Sequence, residues 1–103
     1  DYNGRKIIIT PGFVELGKNE NEFHREFGEN ISRVADIVLL VGPKHTKEIH
    51  SGLELSGFDM HNVFTFDTLK NANAYLAKIK QEGDYVLYEN DLTESYSEKE
   101  GIL

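Results

Sequence analysis

At 103 residues, 39% hydrophobic and 28% charged, the chain has room for one domain with its own core. Its 18 acidic residues against 11 Lys and Arg give a formal net charge of −7; with no basic cluster, neither nucleic acid nor an anionic membrane is an expected partner. It contains no cysteine, which removes disulfides and thiolate metal sites, and no apolar run approaches the ~20 residues of a membrane span. With no signal-peptide pattern at its start, a cytoplasmic location is expected. The opening Asp1-Tyr2-Asn3-Gly4, without an initiator methionine, reads as the start of a domain within a longer polypeptide or of a processed chain.

Arg5-Lys6-Ile7-Ile8-Ile9 reads as a short strand buried on both faces, since three successive β-branched residues favour the pleated backbone. Thr10-Pro11-Gly12 stops it, and a loop runs to Gly17. Asn19 with Glu22 resembles a capping pair, and Phe23, Phe27, Ile31 and Val34 form the apolar stripe of a first helix. Its other face carries Glu22, Arg25, Glu26, Glu29 and Arg33, and Gly28 marks close packing on the sheet. Asp36-Ile37-Val38-Leu39-Leu40-Val41-Gly42 is the clearest strand, apolar enough for burial on both sides in a parallel sheet.

Pro43-Lys44-His45-Thr46 follows as a loop, with Thr46 as N-cap of a second helix that buries Ile49 and Leu53 and closes at Gly57. After a connection over 58–62, Val63-Phe64-Thr65-Phe66 is a third strand. Asp67 then caps a helix with the stripe Leu69, Ala72, Leu76 and Ile79. Gly83-Asp84 turns into a fourth, buried strand, Tyr85-Val86-Leu87-Tyr88, followed by Glu89-Asn90-Asp91-Leu92 and a polar tail.

The alternation β-α-β-α-β-α-β implies a parallel sheet joined by right-handed crossovers. The expected architecture is a three-layer, Rossmann-like α/β domain of about four strands in the order 3-2-1-4, helices on both faces; the order 2-1-3-4 is the alternative. Ligands in such sheets bind outside the carboxyl ends of the strands. With the first order, the loop bearing Thr10, Gly12, Glu15 and Gly17 shares one crevice with the 89–92 segment.

The loop carries neither G-x-G-x-x-G nor G-x-x-x-x-G-K-[ST], so it is not a nucleotide fingerprint. Thr10 and Gly42 stand where a response regulator would need its phosphorylated aspartate. Of the histidines, at 24, 45, 50 and 61, no pair has the i, i+4 spacing of two metal ligands on one helix face, and no metal site is expected. His24 reads as a polar residue beside the first helix stripe. Lys44 and His45 precede a helix N-terminus, where they suit a carboxylate or phosphate or simply form an exposed turn. Glu89, Asn90 and Asp91 suit an ammonium group or a metal, or equally a turn. No nucleophile–base pair is present, so no catalytic residue is assigned to this domain.

The run Gly4 to Gly17, Glu26-Phe27-Gly28, the Asp36 to Gly42 strand with Lys44, Thr46 and Lys47, and Leu87 to Leu92 together resemble the C-terminal domain of the Mur ligase family. The likeness spans nearly the whole chain, residues 1–103 forming one such domain, and looks closest to the UDP-N-acetylmuramoyl-tripeptide:D-alanyl-D-alanine ligase branch. It implies an ATP-dependent peptidoglycan ligase in which this domain presents the incoming amino acid or D-alanyl-D-alanine to a UDP-N-acetylmuramoyl-peptide acyl phosphate. ATP and Mg2+ would be held mainly by a central domain, partnered with an N-terminal one, and this domain alone would be inactive. Where many relatives have Gly-Asp-Met after the first strand, this chain has Pro11-Gly12-Phe13, so no acidic role passes to position 11. Where they have Lys-Gly-Ser-Arg after the last strand, it has Glu89-Asn90-Asp91-Leu92. Lys44, by position, is the implied carboxylate contact. The reading from another class is a non-catalytic small-ligand binding or interaction module.

Overall fold

The computed structural model describes residues 4–13 and 19–89. Its strands are β1 (Lys6–Thr10), β2 (Ile37–Val41), β3 (Val63–Phe66) and β4 (Tyr85–Tyr88), separated in turn by the helices α1 (Glu20–Ser32), α2 (Lys47–Leu55) and α3 (Leu69–Ile79). They form one parallel sheet in the order β3-β2-β1-β4. This is the expected architecture, and the alternative order is excluded.

Side-chain alternation along the strands divides the interior in two. Ile7 and Ile9 of β1 and Ile37, Leu39 and Val41 of β2 face one way, onto Leu69, Ala72 and Leu76 of α3. Ile8, Val38 and Leu40 face the other way, onto Ile31 of α1 and Ile49 and Leu53 of α2. The layers are therefore two helices, sheet, one helix.

α1 and α2 pack at a distance only glycine permits. A Cβ on Gly28 would collide with the Ile49 carbonyl oxygen and lie 3.1 Å from the Leu53 nitrogen; one on Gly52 would collide with the Arg25 carbonyl. Gly28 thus serves packing on the neighbouring helix, not on the sheet. The buried residues of α1 are His24, Gly28 and Ile31, whereas Phe23 is 43% and Val34 56% exposed. The stripe expected from Phe23 and Val34 is rotated, because the inward face must carry the glycine that lets α2 approach.

The caps also differ from expectation. Asn19 and Thr46 stand at the N-cap positions of α1 and α2 but make no side-chain capping bond; Thr46 Oγ1 instead donates to the Gly42 carbonyl, 2.8 Å away. On α3 the cap is Thr68, not Asp67, with Thr68 Oγ1 accepting from the Asn71 N–H. The 58–62 connection contains a single 3-10 turn, Met60–Asn62. β4 stands at a sheet edge, as the expected order requires, but is not buried: Tyr85, Leu87 and Tyr88 are 45–50% exposed.

One ion pair fastens β4 to the start of β1. Arg5 Nε donates to Asp84 Oδ1 at 3.1 Å, and Nη2 donates to Asp84 Oδ2 at 2.7 Å and to the Ile79 carbonyl at 2.7 Å. The Gln81 N–H also donates to Asp84 Oδ2, at 2.8 Å. One bidentate pair therefore joins β1, the end of α3 and the turn into β4. The Arg5 guanidinium, with help from the Gln81 N–H, holds the Asp84 carboxyl down at about 2, against about 4 in an unfolded chain. A depressed carboxylate contributes stability that is complete above the unfolded value and lost as pH falls through the folded one. The melting temperature should therefore drop between pH 4 and pH 2, and Asp84→Asn should lower it at pH 7 and flatten that acid limb in thermal scans across pH. Gly28→Ala should cost about 1–3 kcal/mol in denaturant unfolding, the penalty of overpacking a closed interface.

Candidate functional site

The carboxyl ends of β1, β2 and β4 open on the same edge of the sheet. β1 delivers a turn whose first residue, Thr10, is fully buried and accepts the Gly12 N–H on Oγ1 at 3.0 Å. Gly12 sits at φ +82°, in the left-handed region, and a Cβ there would lie 2.9 Å from His24 Nε2 and 3.3 Å from Ile49 Cδ1. Two separate constraints, dihedral and space, call for glycine at this position.

Two imidazoles grip the turn. His24 of α1, only 1% exposed, accepts the Phe13 N–H on Nε2 at 2.8 Å. A nitrogen that accepts carries no proton, so this geometry belongs to neutral His24. Its burial, followed by the nearby His45, pushes its pKa below the usual imidazole value, with Glu20 pulling the other way. His45, in the β2–α2 loop, donates from Nδ1 to the Pro11 carbonyl at 3.1 Å and brings Nε2 to 3.4 Å from Glu20 Oε2. The ring centroids are 5.6 Å apart. Phe13 is fixed as well, edge-on to Phe23 at 5.2 Å and to Phe27 at 5.0 Å, and stacked against His24 at 6.2 Å. Phe23 is exposed as a core residue but useful as a wall for Phe13.

Of the residues singled out in the sequence, Thr10, Gly12 and His45 meet directly around this turn. Lys44 is exposed beside His45 at the end of β2. Glu89 follows β4, and its N–H donates to the Ile9 carbonyl at 2.9 Å, placing it on the far side of β1. Glu15, Gly17, Asn90 and Asp91 lie outside the described residues. β1 separates β2 from β4, so at ~4.8 Å per strand the chains leaving β2 and β4 stand roughly 10 Å apart. The sequence reading passed over His24. The available signal was its place four residues before Gly28, on the same helix face. Among the described residues, no group of three His, Cys, Asp or Glu could hold a metal ion, and no helix is long and apolar enough to cross a membrane.

The family model described as "Mur ligase, glutamate ligase domain" matches residues 1–88. The chain belongs to this family. Solved structures with the same fold include the MurF ligase from Thermotoga maritima in complex with ADP, 24% identical with a TM-score of 0.63 over 84% of this chain and 18% of that one. MurF from Acinetobacter baumannii is 19% identical with a TM-score of 0.61, over 85% of this chain and 20% of that one. The chain thus spans about a fifth of the length of the ligases it resembles. A comparison with curated proteins finds no match. In this Mur ligase domain, Gly12→Ala should cost about 1–3 kcal/mol in denaturant unfolding, because it adds left-handed strain to a contact with His24.

Proposed function

We propose that this domain is the C-terminal, substrate-presenting part of an ATP-dependent ligase of peptidoglycan synthesis, acting in the cytoplasm. Its task is to hold an incoming D-alanyl-D-alanine for amide-bond formation with an activated UDP-N-acetylmuramoyl-peptide. The observation that carries this reading is the family match over residues 1–88, and the ending of all the parallel strands on one sheet edge supports it.

An incoming dipeptide needs its carboxylate held away from the reaction and its amine, unprotonated, presented to the acyl group. Lys44 supplies a point charge for the carboxylate beside the start of α2, whose backbone N–H groups favour anions. Glu89 stands across β1 to orient the amine. An extended dipeptide spans about 7 Å, and the flexible Lys44 and Glu89 side chains make up the rest of the roughly 10 Å between the two strand ends. The first strand's turn forms the floor between them.

Among the described residues, no group of three acidic or histidine side chains suits Mg2+, and ATP and Mg2+ are assigned mainly to the central domain of the full-length ligase. The sequence lacks a phosphate loop. The N-terminal domain is the other partner, and the isolated chain is expected to hydrolyse no ATP.

In the full-length enzyme, Lys44→Ala should raise the KM for the dipeptide about tenfold to hundredfold, the value of one charge-assisted contact of ~1.5–3 kcal/mol. The KM for ATP should hardly change, as for loss of a uniform binding contact. Lys47→Ala, one turn on and also exposed, is the control for charge alone, since His45 is tied to Pro11 and a substitution there would disturb the turn. Equal shifts for ATP and dipeptide would make Lys44 a turn residue only.

A further inference from the structure

We propose that His24 is a positioning residue: its buried ring sets the Pro11–Phe13 turn that forms the β1 wall of the incoming-substrate crevice. The inference rests on the reading of that crevice as the dipeptide site and adds to it a residue that never touches substrate.

Three features of the geometry converge on this role. The turn has a backbone N–H, that of Phe13, directed inward, and His24 Nε2 is its acceptor at 2.8 Å. Gly12 lacks a side chain where one would press against the same nitrogen, at 2.9 Å. The Phe13 ring lies nearly parallel to the imidazole, 21° from coplanar. The turn therefore conforms to the ring through its backbone, its missing Cβ and its aromatic side chain together.

The ring is equally well fixed from behind. It belongs to α1, which Gly28 and Gly52 lock against α2, so the position of the turn is referred to the two-helix layer. His45, its ring centroid 5.6 Å from that of His24, completes the grip by donating to the Pro11 carbonyl. A catalytic acid or base role for His24 is incompatible with this arrangement. Its side chain is 1% exposed, and the nitrogen aimed at the turn already has a partner.

The arrangement also has a pH signature. A proton on Nε2 would remove the acceptor and set two N–H groups against each other. The charged and titratable groups facing His24 are Glu20 from its own helix, His45 from the β2–α2 loop and Glu48 from α2. Glu48 is paired with Arg25 at 3.1 Å, and Glu20 is shared with His45. Burial and His45 outweigh them, so the native state takes up its proton at lower pH than an unfolded imidazole. Below about pH 6.5 the unfolded chain binds more protons, and stability falls as pH falls.

The test uses the full-length polypeptide carrying this chain, as wild type, His24→Gln and His24→Ala. Glutamine keeps an acceptor that does not titrate; alanine has none. Hydrogen–deuterium exchange at the Phe13 amide, resolved by fragmentation mass spectrometry and expressed as a protection factor, should show protection at pH 7.5 in wild type and His24→Gln and its loss in His24→Ala. As the pH is lowered below the ordinary imidazole value of about 6.5, the wild-type protection should decline while that of His24→Gln stays level. The KM for D-alanyl-D-alanine should rise about tenfold to hundredfold in His24→Ala, as for a displaced positioning element, with recovery in His24→Gln and no change in the KM for ATP. Unchanged Phe13 protection in His24→Ala overturns the proposal. So does lost protection with an unaltered dipeptide KM, provided Lys44→Ala still raises that KM, and then the dipeptide site itself stands. If Lys44→Ala and His24→Ala both leave it unaltered, the dipeptide site and this proposal fall together.

Discussion

The central position of β1 is the constraint on which the rest depends. It has parallel partners on both sides, pairing Ile7–Thr10 with Ile37–Leu40 and Lys6–Ile9 with Tyr85–Tyr88, and it ends between β2 and β4. A strand so placed must be apolar on both faces and must hydrogen-bond along both edges. Ile7-Ile8-Ile9 meets the first demand, and the backbone meets the second through its ends: Lys6 carbonyl to the Asp36 N–H, Arg5 carbonyl to the Tyr85 N–H, Ile9 carbonyl to the Glu89 N–H. Once β1 is held, Thr10 is delivered buried to the edge where β2 and β4 also end, and the crevice follows from topology.

Electrostatics are sorted by end of the sheet. At the amino ends of the strands, Arg5–Asp84 is a bidentate pair with extra backbone donors and acceptors, and the Lys6 N–H donates to Asp36 Oδ2 at 2.8 Å. These contacts join the strands to one another and to the end of α3. At the carboxyl ends stand two histidines with different partners. His24 must be unprotonated toward Phe13, whereas His45 presents one nitrogen to a carbonyl and the other to a carboxylate. The fold thus uses this ion pair to join its elements and places two imidazoles at the opposite ends of the strands.

The sequence made most of this architecture legible because strands and helices here have different periods and lengths. β2, with five apolar residues in succession, has no competing reading. The parallel sheet followed from the alternation, and of the two strand orders it left open the structure has 3-2-1-4. What it concealed were features decided by tertiary contact. Tyr85-Val86-Leu87-Tyr88 is as apolar as a buried strand, and nothing local says that it stands at an edge. Asn19 and Thr46 have good capping side chains, yet Thr46 turns back to Gly42. The α1 stripe keeps Ile31 and Phe27 against the core but loses Phe23 and Val34, because a glycine and a histidine take the inward face. Hydropathy alone ranks them the other way.

That inversion also explains why the candidate site was only half legible. Lys44, His45 and Glu89 announce themselves by following strands, and position on a sheet edge is readable from order. His24 lies on a helix, distant from any strand end in sequence, and becomes part of the site only because α1 crosses above the exit of β1. Its burial would be costly without a partner, and the partner is a backbone N–H that no side-chain pattern records. The pairing of Gly12 with His24 is a mutual fit. A side chain at 12 would displace the ring, and a residue without an acceptor at 24 would orphan the Phe13 N–H. A substitution at either position therefore acts on the other, so the turn and the helix behind it form one element of the domain.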